Sequence, residues 1–393
     1  MRPTRKPRIV VAYPFFPHYR EGIVKRMAAS EHFEYVFASD ANYSEGGIPG
    51  LTFPANAHRI QTPTSRRGKL YWQGGLMKVA SDPEVDAIVA MSIPYCLSYW
   101  PMAAYARLRG KRVYFWTHGW THAERGVNAF MRRLFYMLPH SLMLYGSHAK
   151  RYGESIGYPA ARMDVIFNSL DYDVQKGVRE SISAEEVQAT RSKISKSAGD
   201  TRILCFIGRL TPNCRLELLI EAAALLQRER SVSLLIIGDG TERQRLEQLA
   251  RDAGIDASFT GQKYEEREIA KYLMASDVLV SPGKVGLTAM HAMTYGLPVI
   301  TSGNWSNQMP EYEAVVPGST GMLLPELTAP SVASTLREWF ALGVSRADVA
   351  KACIAEIEAR WTPKGQLEII EGILARDLGL SAAPSTEGCR APS

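Results

Sequence analysis

The chain has 393 residues, 46% of them hydrophobic and 22% charged, and a net charge of +6. That length exceeds what one hydrophobic core supports, so two domains are expected. The composition is that of a globular protein rather than a disordered one, and no apolar run approaches the roughly 18 residues of a membrane-spanning helix. The five cysteines, Cys96, Cys205, Cys214, Cys353 and Cys389, are odd in number and lie in no zinc-type spacing, which argues for a reducing, cytoplasmic compartment and against a disulfide framework.

In chain order, the basic leader before Ile9–Tyr13 reads as the approach to a first strand. Its apolar run is too short for a signal peptide and is broken by Pro14 and Pro17. Strands are expected at Ile9–Tyr13, Tyr35–Ala38, Ala87–Met91, Arg112–Trp116, Ser141–Leu144 and Asp164–Phe167. Helices are expected at Gly22–Ala29, Leu97–Arg109, Glu124–Met137 and Ala149–Ile156. The run Leu134–Tyr145 after Arg132-Arg133 has the composition of an interfacial helix, but Pro139 breaks it, so a core helix followed by a core strand is expected. Residues 181–200 are polar and read as a linker.

The second half restarts the alternation. Strands are expected at Ile203–Ile207, Ser233–Ile237 and Ser258–Thr260, with helices at Leu216–Gln227, Glu242–Ala253 and Glu265–Met274. Asp277–Val280 is then a strand, Ser281-Pro282-Gly283 breaks it, and Leu287, Met290, Met293 and Leu297 recur at helical spacing. Gly296-Leu297-Pro298 ends that helix and Val299-Ile300-Thr301 opens another strand. The tail 381–393 reads as disordered. Repeated strand–helix alternation predicts α/β architecture with parallel sheets, two doubly wound Rossmann-like domains facing each other across a cleft.

Charge is uneven. Residues 1–180 carry 24 Lys and Arg against 14 Asp and Glu, whereas residues 181–393 carry 22 against 26. A basic first half fits a solvated basic face, an anionic ligand, or peripheral contact with an anionic membrane at the inner face of the plasma membrane. No nucleic-acid-binding motif accompanies it, so nucleic acid is not expected as a partner.

The helix opening at Gly286, Leu287 and Thr288 leaves its first amides unpaired at the positive end of the helix dipole, an arrangement that favours a phosphate. Arg209, after the strand Ile203–Ile207, supplies a permanent charge and fixed donors near it. His118 follows the strand Arg112–Trp116 within Trp116-Thr117-His118-Gly119-Trp120, at a carboxyl end. The loop Phe15–Gly22 follows the first strand in the same way. His18, Tyr19, Arg20 and Gly22 there are candidates for acceptor recognition.

These segments together resemble retaining glycosyltransferases of the GT-B fold, in family four. The donor pattern S-P-E-x-x-G-x-x-x-x-E-A-M-A-x-G-x-P-V-I is matched at Ser281, Pro282, Gly286, Ala292, Met293, Gly296, Pro298, Val299 and Ile300. Its two glutamates are replaced by Gly283 and His291. Gly208-Arg209-Leu210, Ile237-Gly238-Asp239-Gly240, Phe259-Thr260-Gly261 and Val165-Ile166-Phe167-Asn168 follow the family's order and cover nearly the whole chain. The resemblance implies an N-terminal acceptor domain (1–180), a linker (181–200), a C-terminal donor domain (201–362) and a C-terminal helix (363–380).

The resemblance further implies transfer of a sugar from a nucleoside diphosphate sugar, UDP-linked rather than GDP-linked. The acceptor would be a glycan or lipid-linked glycan, anomeric configuration would be retained, and neither metal nor cofactor would take part. Arg209 and His118 would be catalytic. Gly208, Arg215, Gly283, Lys284, Gly286, Leu287, Thr288 and His291 would bind the donor. The family's lysine five residues after the arginine is Cys214 here, so Lys284 or Arg215 is expected to supply its charge. Asp171-Tyr172-Asp173 has the letters of a metal-bridging motif but lies at the end of the first half. Loss of both glutamates leaves open a non-catalytic nucleotide- or glycan-binding module.

Overall fold

The computed structural model describes residues 5–45, 48–195 and 201–380. It has two compact units, Met1–Asp171 with Thr362–Ser393 and Tyr172–Trp361. The expected tail 381–393 lies outside the described residues.

The first unit contains the strands β1 (Arg8–Ala12), β2 (Glu34–Ser39), β3 (His58–Gln61), β4 (Thr64–Arg67), β5 (Leu70–Gln73), β6 (Val85–Met91), β7 (Arg112–Thr117), β8 (Ser141–Leu144) and β9 (Met163–Val165). Seven of them form one sheet in the order β3-β2-β1-β6-β7-β8-β9, every neighbouring pair parallel. Successive residues of β1 feed opposite faces. Val10 and Ala12 join one apolar cluster with Tyr99, Phe115 and Phe135, and Ile9 and Val11 join another with Phe37, Tyr114 and Ile370. A sheet covered on both sides needs such continuous apolar strands, and parallel crossovers provide the covering helices.

The helix Pro363–Leu378 packs on the second of these faces through Ile370, Ile373 and Leu374, each worth about 1.5–3 kcal/mol of burial. The Tyr114 hydroxyl donates to its Asp377 at 3.0 Å and the Ser30 hydroxyl to its Glu371 at 2.6 Å. β4 and β5 form a separate antiparallel hairpin. The basic group Arg66-Arg67-Gly68-Lys69 is therefore the end of β4 and its turn.

The second unit has β10 (Arg202–Ile207), β11 (Val232–Ile237), β12 (Asp256–Gly261), β13 (Val278–Ser281), β14 (Val299–Ser302) and β15 (Gly321–Leu324), in the order β12-β11-β10-β13-β14-β15, all parallel. Strand order reverses between β10 and β13 here, and between β1 and β6 in the first unit. Ligands in doubly wound sheets sit at the carboxyl ends of the strands at that reversal.

The stretch read as a linker holds a helix, and its residues 196–200 lie outside the described residues. The helix Ala184–Ile194 is fixed within the second unit, Arg191 donating to Asp277 and to the Ala275 carbonyl, each at 2.8 Å. The segment Leu134–Tyr145 departs from a plain core element. Phe135 and Tyr136 are buried, but Leu134 and Met137 of the same helix face solvent.

Candidate functional site

In the second unit the carboxyl ends of β10 and β13 carry the loops Gly208–Arg215 and Pro282–Gly286. Both are built by backbone contact too close for side chains. A Cβ on Gly238 would lie 1.9 Å from the Gly208 carbonyl oxygen, and one on Gly283 would lie 2.0 Å from that of Asn213. Gly238 also holds φ at +142°, where side chains are rarely tolerated. The Gly283 amide donates to the Cys214 carbonyl at 3.1 Å, and the Cys214 thiol donates to the Arg209 carbonyl at 3.1 Å. The two loops are thus one hydrogen-bonded unit, with Arg209 on one side and Lys284 on the other.

Both cations are exposed, and neither has a hydrogen-bond or ion-pair partner among the described residues. Arg215 differs. It adopts φ +53° at the start of the helix Leu216–Leu226, and its Nε is taken by Glu217 at 2.6 Å. Of the two cations expected to replace the missing lysine, Lys284 is therefore the uncommitted one. The amides of Gly286, Leu287 and Thr288 have no partner among the described residues at the start of the helix Leu287–Thr294. Gly286 is not closed in as Gly283 is, since a Cβ there would make only van der Waals contact, 3.7 Å from Met309.

Two of the expected donor residues have partners within the protein. The amide of Gly283 is committed to Cys214. His291 is engaged within the fold, its Nε2 2.8 Å from Glu266, which also accepts from the Tyr295 hydroxyl at 2.6 Å. Burial pushes the Glu266 carboxyl up, but His291 and Tyr295 outweigh it and its pKa is lowered.

Sequence reasoning missed Gln308. This fully buried side chain donates to the carbonyls of Gly283 and Ser302, each at 3.0 Å, and accepts from the Val285 amide at 2.8 Å. It spans the inside of the loop Pro282–Gly286 and holds it to the end of β14. Nothing in a lone Gln within a Trp-Ser-Asn-Gln stretch signals that.

In the first unit, β1, β7, β8 and β9 end in a cluster around Arg20. This guanidinium is buried. It donates to Asn168 at 2.8 Å and to the Tyr145 hydroxyl, and it lies 5.3 Å from the Trp116 ring centroid and 5.1 Å from that of Tyr145. His118, at the end of β7, is 4.7 Å from the Tyr145 ring, centroid to centroid. Burial, with the nearby Arg20 and His148, holds the His118 pKa down at about 4. It is therefore a neutral imidazole at pH 7, able to donate or accept a hydrogen bond without adding charge.

Of the expected acceptor residues, His18 is exposed and Tyr19 half-buried on the loop after β1, while Arg20 belongs to the His118 cluster. Gly22 is different from expectation. It lies inside the helix Glu21–Ala28, where an added Cβ would meet Pro363 at 2.9 Å and Asp171 at 3.0 Å. The close approach there is made by the protein's own chain, not by a ligand. Tyr145 and Asn168 were not singled out from the sequence as site residues, although Tyr145 directly follows β8 and Asn168 lies three residues after β9.

Residues 187–355 match the family model described as glycosyl transferases group 1. The chain is 29% identical over 204 residues to a D-inositol 3-phosphate glycosyltransferase of Mycobacteroides abscessus, covering 49% of this chain and 43% of that protein. It is 33% identical over 126 residues to a GDP-mannose-dependent alpha-mannosyltransferase of Mycobacterium tuberculosis, covering 31% of this chain and 30% of that protein. The chain thus spans less than half the length of these relatives. Among solved structures it resembles Anabaena HepE in complex with UDP, with a TM-score of 0.69 and 15% identity over 94% of this chain and 100% of that one. The fold is GT-B.

Proposed function

We propose that the chain is a glycosyltransferase that moves a sugar from a nucleoside diphosphate sugar to a hydroxyl of a glycan or lipid-linked glycan, with retention of configuration and without a metal. The observation that carries this reading is the paired set at β10 and β13: Arg209 and Lys284, both unneutralised, beside three open helix amides. A diphosphate carries about two negative charges, and its charge rises as the sugar leaves. Fixed cations and amides stabilise that development where a metal would otherwise be needed.

Transfer would break the bond from the anomeric carbon to the phosphate oxygen. The acceptor oxygen would form the new bond from the same face, and its proton would pass to the departing phosphate. Neutral His118 would hydrogen-bond the transferred sugar. A UDP-sugar is preferred because a structural neighbour holds UDP, although a curated relative is GDP-mannose-dependent. A further structural neighbour, a lipopolysaccharide outer core galactosyltransferase, supports extending the reading to assembly of a bacterial surface glycan or glycoconjugate.

Thermal shift against UDP, GDP, dTDP and ADP, and against their sugars, tests the binding half of this reading. One nucleotide is expected to raise Tm, and sugar release from its conjugate to an acceptor mixture is expected to survive EDTA. Stabilisation by none of them would overturn donor binding. Loss on EDTA treatment that Mn²⁺ restores would overturn the metal-free mechanism. The absence of a carboxylate at positions 283 and 291 favours a second reading, a nucleotide-binding module without turnover; binding with no sugar release would select it.

Lys284→Ala is expected to weaken nucleoside diphosphate binding at least about tenfold, less so at high salt, because exposed charges are screened within about 8 Å at physiological ionic strength. Arg215→Ala is expected to change it little, since Glu217 already holds that guanidinium. Calorimetry at two salt concentrations decides, and the reverse order of effects would move the compensating charge to Arg215.

A further inference from the structure

The helix Gly126–Met137 buries Phe135 and Tyr136 and leaves a second apolar stripe in solvent. Val127 is 76% exposed, Phe130 60%, Met131 43%, Leu134 39% and Met137 52%. Their spacing places them along one side of the helix. The helix is a ridge between two grooves. One, of about 410 Å³, is lined by Leu70, Tyr95, Leu97, Trp100 and Met131. The other, of about 310 Å³, is lined by Phe130, Tyr152, Ile156 and Tyr158. Contiguous exposed apolar surface on this scale marks an interaction site.

The charges around it are mainly positive, the exceptions being the exposed Glu154 beside the second groove and Glu45, which pairs with Arg66 of the hairpin. Residues 101–150 carry eight Lys and Arg against a single acid, Glu124. That acid is gripped by Arg132 through two hydrogen bonds of 2.6 Å, so it does not offset the rest. Arg125 just before the helix and Arg133 on it, and Arg67 at the end of β4 and Lys69 in the turn beside Leu70, are exposed and have no acidic partner among the described residues. The carbonyls at the end of the helix are capped by Arg107, at 3.1 Å from Met137 and 2.9 Å from Leu138.

We propose that this face docks onto an anionic lipid bilayer, with the helix lying in the headgroup plane and Phe130 and Leu134 reaching the acyl boundary. An apolar stripe flanked by cations is the chemistry that binds such an interface. Each Lys or Arg brought to an anionic surface strengthens partitioning about fivefold. A second copy of the chain is a poorer occupant, because a two-fold contact would set Arg125, Arg133 and Lys69 against their own equivalents. No helix among the described residues is long and apolar enough to cross a membrane, so the contact is peripheral. It stands apart from the transferase reading and can fail without it.

The test is flotation of the full chain with phosphatidylcholine vesicles containing about a third phosphatidylglycerol, against phosphatidylcholine alone. Binding to the anionic vesicles, weakened by salt, is expected. Phe130→Glu with Leu134→Glu, and separately Arg125→Glu with Arg133→Glu, should each lower partitioning at least about tenfold, with Tm and nucleotide binding unchanged. All four positions are exposed, and the charge pair keeps the test open if the apolar pair folds poorly. Equal partitioning of parent and both variants, or no partitioning at all, would overturn the proposal. So would a dimer in ultracentrifugation that Phe130→Glu with Leu134→Glu dissolves.

Discussion

Arg209→Ala is expected to lower turnover at least about a hundredfold, the scale of removing one preorganised electrostatic stabiliser from a site where charge develops, while Tm stays near that of the parent. The second half of that expectation comes from geometry. The guanidinium is exposed and bonds to nothing among the described residues. What the fold uses at this position is the backbone, since the Arg209 carbonyl accepts from Cys214 at 3.1 Å. Truncating the side chain leaves that contact in place. Arg209→Lys restores the charge but not the planar pair of donors, so it should recover only part of the loss. Steady-state kinetics with calorimetry separates the roles: a fall in kcat larger than the loss of nucleotide affinity marks stabilisation of the leaving diphosphate. Near-normal kcat in Arg209→Ala would remove this residue from the mechanism.

The two sheets were legible in the sequence because their strands are buried on both faces and read as largely apolar runs, as in β11, where all six residues are buried and only Ser233 is polar. The unread elements lack that signal. β3 has half-exposed or exposed residues throughout, the hairpin strands are mostly solvent-facing, and β15 alternates only weakly. The polar stretch before residue 196 looked like a linker because its helix is held by ion pairs, Arg191 to Asp277 and Arg267 to Glu186, rather than by an apolar face. At the site, the spacing of glycines and cations identified which loops meet at β10 and β13. It did not say which groups were already spent. The commitment of Arg215 to Glu217, of His291 to Glu266 and of the Gly283 amide to Cys214 depends on tertiary partners far along the chain or on a left-handed turn that no local pattern announces.

Restoring the glutamate that the family pattern has at position 283 is expected to damage this protein. A Cβ there would sit 2.0 Å from the Asn213 carbonyl oxygen and 3.0 Å from the carbonyl carbon and oxygen of Cys214. Both obstacles are backbone, so neither can swing aside as the tip of a long side chain can. The loop Thr211–Arg215 would have to lift, breaking the hydrogen bond from the Gly283 amide to Cys214 and loosening the turn that seats Arg209. Overpacking of this kind costs about 1–3 kcal/mol, or about 2–4 °C of Tm per kcal/mol for a unit of this size. Because the clash arises at Cβ, Gly283→Ala and Gly283→Glu should lose Tm alike, and both should weaken nucleotide binding at least about tenfold. The paired comparison separates sterics from chemistry. If Gly283→Ala is harmed while Gly283→Glu gains turnover, a carboxylate at this position is worth more than the closed loop, and the glycine is a defect rather than the residue on which the site is built. If both variants keep the parent's Tm, the contact between the two loops is not rigid, and the shared seating of Arg209 and Lys284 fails with it.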